Sequence, residues 1–140
     1  MKKSFYIFML ISFVFLGIMQ AFAVNSYDRY GQRTGIYRET STGINAYDKY
    51  GVKTGSFKKT NSGYNVYDKY GVKTGSFKKT PSGYSQYDKY GSKVGSYKET
   101  SNGTVIKYDK YGTRTGSYKK DSMGNITEYD KYGVKRGSYR

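Results

Sequence analysis

The chain has 140 residues, with 25 Lys and Arg against 10 Asp and Glu, 19 Tyr, 18 Gly, one Pro, and no Cys, His or Trp. Without Cys there is no disulfide framework and no thiolate metal site, and without His the commonest general base and metal ligand is missing. The length allows one domain. We therefore expect a protein that is not an enzyme and that holds no cofactor and no metal.

The N-terminus has the pattern of a secretory signal peptide. Two lysines precede an apolar run over residues 5–19, and Ala21-Phe22-Ala23 matches the small-x-small site that signal peptidase cleaves. We predict a bacterial signal helix over residues 1–23, removed after Ala23, and export to the periplasm, the cell surface or the medium. The alternative is a transmembrane anchor, because the apolar run approaches the length that spans a bilayer.

The remaining residues, 24–140, have an unusual composition. Removing Lys2 and Lys3 lowers the formal charge from +15 to +13, and no leucine remains. Leu, Ile, Val and Phe make up 13 of these 117 residues, which is below the roughly 20% at which a highly charged chain is suspected of disorder. If this part folds, tyrosine must supply the buried surface. The alternative is disorder until a partner binds.

Residues 24–140 are a tandem repeat. The motif Tyr-Asp-Lys/Arg-Tyr-Gly recurs at spacings of 20, 20, 20, 21 and 21 residues, which gives five full units and a 12-residue sixth. We therefore expect one tyrosine-rich repeat domain over residues 24–140, without a linker. Its units begin at Tyr27, Tyr47, Tyr67, Tyr87, Tyr108 and Tyr129.

Each unit contains two predicted turns. Residues 68–71, Asp-Lys-Tyr-Gly, have Asp first, where its carboxylate can cap a backbone N–H, and Gly fourth. This order is typical of a type I turn followed by a left-handed glycine. Residues 80–83, Thr-Pro-Ser-Gly, predict the same form, because the fixed φ of proline suits the second position of a type I turn.

The segments between the turns predict antiparallel strands. Residues 72–79 and 84–87 show no helical stripe, and Gly and Thr recur where a helix would be destabilised. We predict an all-β fold of tandem antiparallel hairpins, forming an elongated meander or a solenoid-like array. The recurring glycine of the long strand, such as Gly75, either bends each strand or leaves room for tyrosine in a flat sheet.

The turn positions also predict the strand register. Each long strand is expected to pair through its first half with one neighbour and through its second half with the next, and the partner changes at the recurring glycine. The predicted pairs are Tyr67 with Val72, Tyr64 with Gly75, Lys79 with Tyr84, and Phe77 with Gln86.

Three aromatic series recur in every unit: a Tyr at the unit start, a Tyr three residues later, and a Tyr or Phe seven residues after that. Contacts between these rings in successive units are predicted to hold the array together, because an aromatic pair adds about 0.5–1.5 kcal/mol beyond its area term. The recurring Asp predicts a turn cap. A calcium ladder is the alternative, which the surrounding surplus of cations disfavours.

Lysine or arginine recurs at three places in each unit, so the positive charge is spread along the array. One hypothesis is a solvated face that protects sheet edges from aggregation. The other is attraction to an extended polyanion, with tyrosine rings as stacking surfaces. The predicted polyanion contacts are Lys49, Lys53, Lys69, Lys73, Lys89, Lys93, Lys110 and Arg114, and the predicted stacking surface is Tyr50, Tyr70, Tyr90 and Tyr111.

The repeat has similarities to known families. Residues 124–133, Gly-Asn-Ile-Thr-Glu-Tyr-Asp-Lys-Tyr-Gly, resemble the tyrosine-aspartate (YD or RHS-type) repeats of secreted bacterial proteins. Those repeats run Gly-Asn-x-Thr-x-Tyr-x-Tyr-Asp-x-x-Gly-Arg and build β-hairpin wraps. The 20-residue hairpin, rich in Gly and aromatic residues, is also similar to bacterial cell-wall-binding repeats. Both resemblances imply a β-hairpin repeat fold.

Six copies of one surface chemistry suit multivalent binding better than a single active site. We expect a structural, adhesive or multivalent binding element at the cell envelope or outside the cell, without a small-molecule substrate. Its expected partners are anionic cell-wall polymers, glycans or extracellular nucleic acid. The alternative is a self-assembling filament or surface-layer component with no specific ligand, which would form through the open strand edges of the end units.

Overall fold

The computed structural model describes residues 23–140, which form twelve antiparallel strands. The predicted signal peptide lies outside these residues except for Ala23, which begins the first strand. No helix in residues 23–140 is long and apolar enough to cross a membrane. The strands are β1 (Ala23–Asp28), β2 (Arg33–Thr40), β3 (Gly43–Asp48), β4 (Lys53–Thr60), β5 (Gly63–Asp68), β6 (Lys73–Thr80), β7 (Gly83–Asp88), β8 (Lys93–Glu99), β9 (Val105–Asp109), β10 (Arg114–Lys120), β11 (Ile126–Asp130) and β12 (Lys135–Tyr139).

The strands close into one barrel. Each strand pairs with its neighbours in sequence, and β1 pairs with β12, with Tyr27 opposite Ser138. Asn25 and Arg140 complete this seam with two backbone hydrogen bonds, of 2.8 and 2.9 Å. The predicted all-β hairpin repeat is confirmed, but the predicted elongated meander or solenoid-like array is wrong. Because β1 and β12 pair, the described strands have no free edge of the kind that the filament hypothesis needed.

A β-bulge at the start of each long strand helps to curl the sheet. In the β5–β6 pair, Val66 lies opposite Gly75 and Tyr67 lies opposite Lys73, so Thr74 is left without a partner residue across the ladder. The same register shift occurs between β1 and β2, and in every later hairpin with this turn. A bulge bends its strand and increases the local twist, and sheet closure requires both.

The bulge also explains which part of the predicted register fails. The pairs Lys79 with Tyr84 and Phe77 with Gln86 are confirmed. On the bulged side, Tyr67 lies opposite Lys73 rather than Val72, and Tyr64 lies opposite Phe77 rather than Gly75. The short strands have up to six residues, so residues 75–78 of the long strand pair with both neighbours and the partner does not change at Gly75.

The recurring glycine allows a close approach of the next strand. A Cβ atom placed on Gly75 would lie 2.6 Å from the backbone oxygen of Tyr87 in β7, closer than real Cβ contacts. The glycine and the adjacent bulge therefore act together, in a curved and closed sheet rather than a flat one. The equivalents of Gly75 are Gly35, Gly55, Gly95, Gly116 and Gly137.

Both predicted turns are confirmed, but the glycine that ends the second turn is left-handed only in the last two full units. Gly71 has φ +80° and its N–H donates to the Asp68 oxygen at 3.1 Å. In contrast, Gly83 pairs directly with Thr80 across a two-residue turn and has φ +158°. In the longer units Gly103 and its equivalent adopt the left-handed conformation instead. The turn thus absorbs the additional residue, and the strands beyond it keep their faces.

One of the three aromatic series forms the core. The third series points into the barrel and is buried, and it is joined by aliphatic residues of the short strands, such as Ile44 and Val105. Phe77 and Tyr97 lie next to each other in this layer, with ring centroids 6.1 Å apart. The expectation that tyrosine alone replaces an aliphatic interior is therefore too simple. The buried third-series residues are Tyr37, Phe57, Phe77, Tyr97, Tyr118 and Tyr139.

Candidate binding surfaces

Six turns of the same form lie at one end of the barrel, because every odd-numbered strand connects to the next strand there. In each turn the Asp carboxylate accepts two backbone hydrogen bonds. At Asp68 the donors are the N–H groups of Tyr70 and Val72, at 2.9 and 3.0 Å. The predicted cap is confirmed. We call this end the crown, which comprises residues 28–33, 48–53, 68–73, 88–93, 109–114 and 130–135.

All twelve residues of the predicted binding surface lie in the crown, and all are exposed. Lys49, Lys69, Lys89 and Lys110 lie in the turns, and the other four predicted cations begin the long strands. Counting the equivalent positions of the first and sixth turns, the crown carries twelve Lys or Arg residues and six Asp residues. The fold thus arranges these residues in a ring at one end of the barrel, whereas the sequence predicted that they would be spread along an elongated array.

The crown tyrosines are exposed, but each ring is in contact with a cation. Tyr70 is 78% exposed, and the Lys69 ammonium lies 5.0 Å from its ring centroid. The same cation–π contact occurs in all six turns, at 4.8–5.0 Å. Each contact adds about 0.5–1 kcal/mol at an exposed site. Each turn therefore presents one cation and one aromatic ring as a unit.

A second ring of cation–π contacts surrounds the outer wall, which the sequence did not predict. The Tyr that begins each unit is half-buried and is covered by a cation from the adjacent long strand. Lys58 lies 4.9 Å from the ring of Tyr67, and across the seam Arg140 lies 5.4 Å from Tyr27. These side chains screen apolar surface from water along the wall.

The barrel interior has a polar part that sequence reasoning also missed. Tyr97 donates to the Oε1 atom of Gln86 at 3.2 Å, and Tyr139 donates to the Oε2 atom of Glu128 at 3.3 Å. Burial raises the pKa of Tyr37 to about 12.

A pattern in the sequence identifies these interior pairs. Where the third-series aromatic is Tyr, the residue eleven positions earlier is polar, and where it is Phe, that residue is apolar. Each bulged hairpin places these two positions, one on each of its strands, on the inner face. The polar pairs are Ser26 with Tyr37, Gln86 with Tyr97, Lys107 with Tyr118 and Glu128 with Tyr139, and the apolar pairs are Ala46 with Phe57 and Val66 with Phe77.

The crown carboxylates serve the turns and do not assemble a cation site. In residues 23–140 no cluster of three or more Asp or Glu residues could hold a metal ion. The backbone N–H of Val134 lowers the pKa of Asp130, assisted by the N–H of Tyr132 and by the Arg136 guanidinium. That guanidinium lies 2.7 Å from Asp130. The calcium ladder therefore has no support in this geometry.

Comparisons with protein-family models, curated proteins and solved structures find no match to this chain. The resemblances to tyrosine-aspartate repeats and to cell-wall-binding repeats therefore stay predictions, and the functional argument depends on the geometry of the barrel.

Proposed function

We propose that this protein is an exported bacterial barrel that binds anionic polymers multivalently through its crown. The observation that carries the proposal is the concentration of twelve cations and six exposed tyrosines at one end of a closed barrel. The six Asp residues reduce this charge, but each uses one carboxylate oxygen to cap its turn. The crown therefore has a net positive charge, which attracts polyanions. Binding of a polyanion there releases counterions from the polymer.

The ring arrangement favours a repetitive target. Six turns present the same cation and ring, so a polymer that contacts several turns gains affinity by avidity although each contact is weak. Tyrosine faces add stacking surface for the bases of single-stranded nucleic acid or for flat apolar faces of a glycan. Anionic wall polymers, glycans and extracellular nucleic acid are therefore the proposed partners. Self-assembly through strand edges is less favoured, because β1 and β12 pair with each other.

Binding to double-stranded DNA and retention on heparin-agarose test the proposal. The test variant replaces Lys49, Lys69 and Lys89 with Gln, which removes three crown cations. The matched control replaces Lys58, Lys78 and Lys98 with Gln, which removes the same charge from the outer wall. If each crown lysine contacts one phosphate, the slope of log K against log salt for DNA becomes shallower by about 2.7 in the crown variant.

The control variant is expected to keep most of its salt slope and its retention. The proposal fails if the parent protein is retained equally on heparin-agarose and on plain agarose at low salt. It also fails if both triple variants lose the same affinity, since the net charge and not the crown would then determine binding.

A further inference from the structure

The half of the barrel interior next to the crown contains a cavity of about 590 Å³. It exists because the inward positions at this level are small, as at Ser26, Gly116 and Gly137. The other half is filled by buried side chains such as Ile44 and Val105. The cavity lies beside the seam between β1 and β12, and three of the four polar pairs of the interior line it.

Glu128 supplies a carboxylate to the cavity wall. Its carboxylate accepts the hydrogen bond from Tyr139 and lies in the wall together with Lys107 and Tyr118. Burial raises the pKa of Glu128, and the charge of Lys107 and the hydroxyls of Tyr139 and Tyr118 partly oppose that rise. Hydroxyl groups continue the wall, since Ser26 and Thr34 are hydrogen-bonded at 2.9 Å.

The charges in the wall select against charged and purely apolar occupants. An apolar ligand would displace water from ionised groups and could not replace the hydrogen bonds that this water makes, which is costly. An anion would meet more carboxylates than cations in the wall, and a cation bound there would lie next to the net positive crown. An uncharged, hydrogen-bonding ligand avoids all three costs. The charged wall residues are Asp28, Asp48, Asp130, Glu128, Lys107 and Arg136.

We propose that the cavity binds an uncharged polyhydroxylated ligand, namely a neutral mono- or disaccharide unit. Tyr37, Tyr118 and Tyr139 line the cavity but are buried, so they close its wall rather than present open ring faces. The Glu128 carboxylate and the surrounding hydroxyls supply acceptors and donors for its hydroxyl groups. The volume lies within the range of about 300–1,000 Å³ that is usual for small-ligand sites. Asp28, Asp48 and Asp130 belong both to the cavity wall and to the crown, but the proposed sugar-binding groups lie inside the barrel and do not depend on polymer binding at the crown.

Three sugars of one ring shape test the charge argument: glucose, glucuronate and glucosamine, which are neutral, anionic and cationic. Binding to the purified protein is measured by ¹⁵N chemical-shift titration, with N-acetylglucosamine, cellobiose and lactose as further neutral probes. At least one neutral sugar is expected to shift amide signals around the cavity and to bind more tightly than both charged sugars. Saturable binding of glucuronate or glucosamine in preference to every neutral sugar would overturn the proposal, and so would the absence of shifts with all neutral probes.

Two variants locate the site. Glu128→Gln and Tyr139→Phe each remove part of the hydrogen-bonding group and are expected to weaken sugar binding about tenfold, as for loss of a hydrogen bond to a charged group. Glu99→Gln, which removes an exposed carboxylate outside the cavity wall, is the matched control and is expected to bind normally. Unchanged affinity in both cavity variants contradicts the proposal. Retention on heparin-agarose is expected to be the same in all three variants, which separates this result from the crown proposal.

Discussion

The barrel interior pairs each third-series aromatic residue with the residue eleven positions earlier, and this pairing predicts the effect of adding one hydroxyl group. Phe77 is 1% exposed, and the residue at the paired position is Val66. In Phe77→Tyr, the new hydroxyl lies against a side chain that cannot accept its hydrogen bond. Burying an unsatisfied hydroxyl costs about 1–3 kcal/mol, so the variant is expected to be less stable by that amount.

A second substitution is expected to rescue the first. Val66→Gln in the Phe77→Tyr background recreates the pair that Gln86 and Tyr97 form in the next unit, with the hydroxyl 3.2 Å from the amide oxygen. Each single variant buries one polar group without its partner, and the double variant buries both together. The double-mutant cycle is therefore expected to give a favourable coupling of about 0.5–3 kcal/mol.

Urea unfolding followed by circular dichroism measures these differences. With a typical urea dependence of about 1–3 kcal/mol/M, a loss of about 2 kcal/mol moves the midpoint by about 1 M. Tyr70→Phe, which changes a hydroxyl at a crown ring that is 78% exposed, is the control and is expected to leave the midpoint unchanged. The reasoning is refuted if Phe77→Tyr is as stable as the parent protein, or if the cycle shows no coupling.

Three further predictions concern the backbone at Gly75, the turn cap Asp68 and the partly buried carboxylate of Glu128. Gly75→Ala is expected to cost about 1–3 kcal/mol in urea unfolding, because its Cβ would lie 2.6 Å from the Tyr87 oxygen and the strands must separate; a neutral result would show that the strands are farther apart. Asp68→Ala removes two hydrogen bonds from a crown turn and is expected to cost about 1–2 kcal/mol by the same assay, with Asp68→Asn as the milder control. Because burial raises the pKa of Glu128, the folded barrel binds its proton more tightly than the unfolded chain does. The stability that this proton contributes is present at acid pH and is lost as the pH rises through the raised pKa. Glu128→Gln is therefore expected to reduce the pH dependence of the urea midpoint in this range. An unchanged pH dependence would contradict the assignment.

The local features of the fold could be predicted from the sequence because each depends on a few neighbouring residues. The Asp68 cap and the left-handed Gly71 follow from a four-residue motif, and the pair Lys79 with Tyr84 follows from the adjoining turn. Closure could not be predicted in the same way, because it depends on curvature accumulated over twelve strands. The bulge at Thr74 supplies part of this curvature. It also shifts the strand register on its side away from the predicted one.

The predicted cations and tyrosines of the candidate site could be found because they repeat, whereas the interior residues were missed because they do not. Lys69 and Tyr70 recur in every unit and therefore appear as a pattern. Glu128 and Lys107 occupy a position that is Ser, Ala, Val or Gln in the other units, so each looks like an isolated variation. Their significance becomes visible only when the position eleven residues later is compared as well.

The outside and the inside of the barrel consequently suit different kinds of recognition. The crown presents nearly the same cation and ring six times, so it can gain affinity for a repetitive target but has little basis for distinguishing one ligand group from another. The interior breaks the repeat, because the same inward position holds Ser26, Lys107 and Glu128 on β1, β9 and β11 but Ala46 and Val66 on β3 and β5. Such an asymmetric set of donors and acceptors can orient a single small molecule. If this protein discriminates between chemically similar ligands, the discrimination must therefore arise in the cavity, and the crown determines only where the barrel is retained.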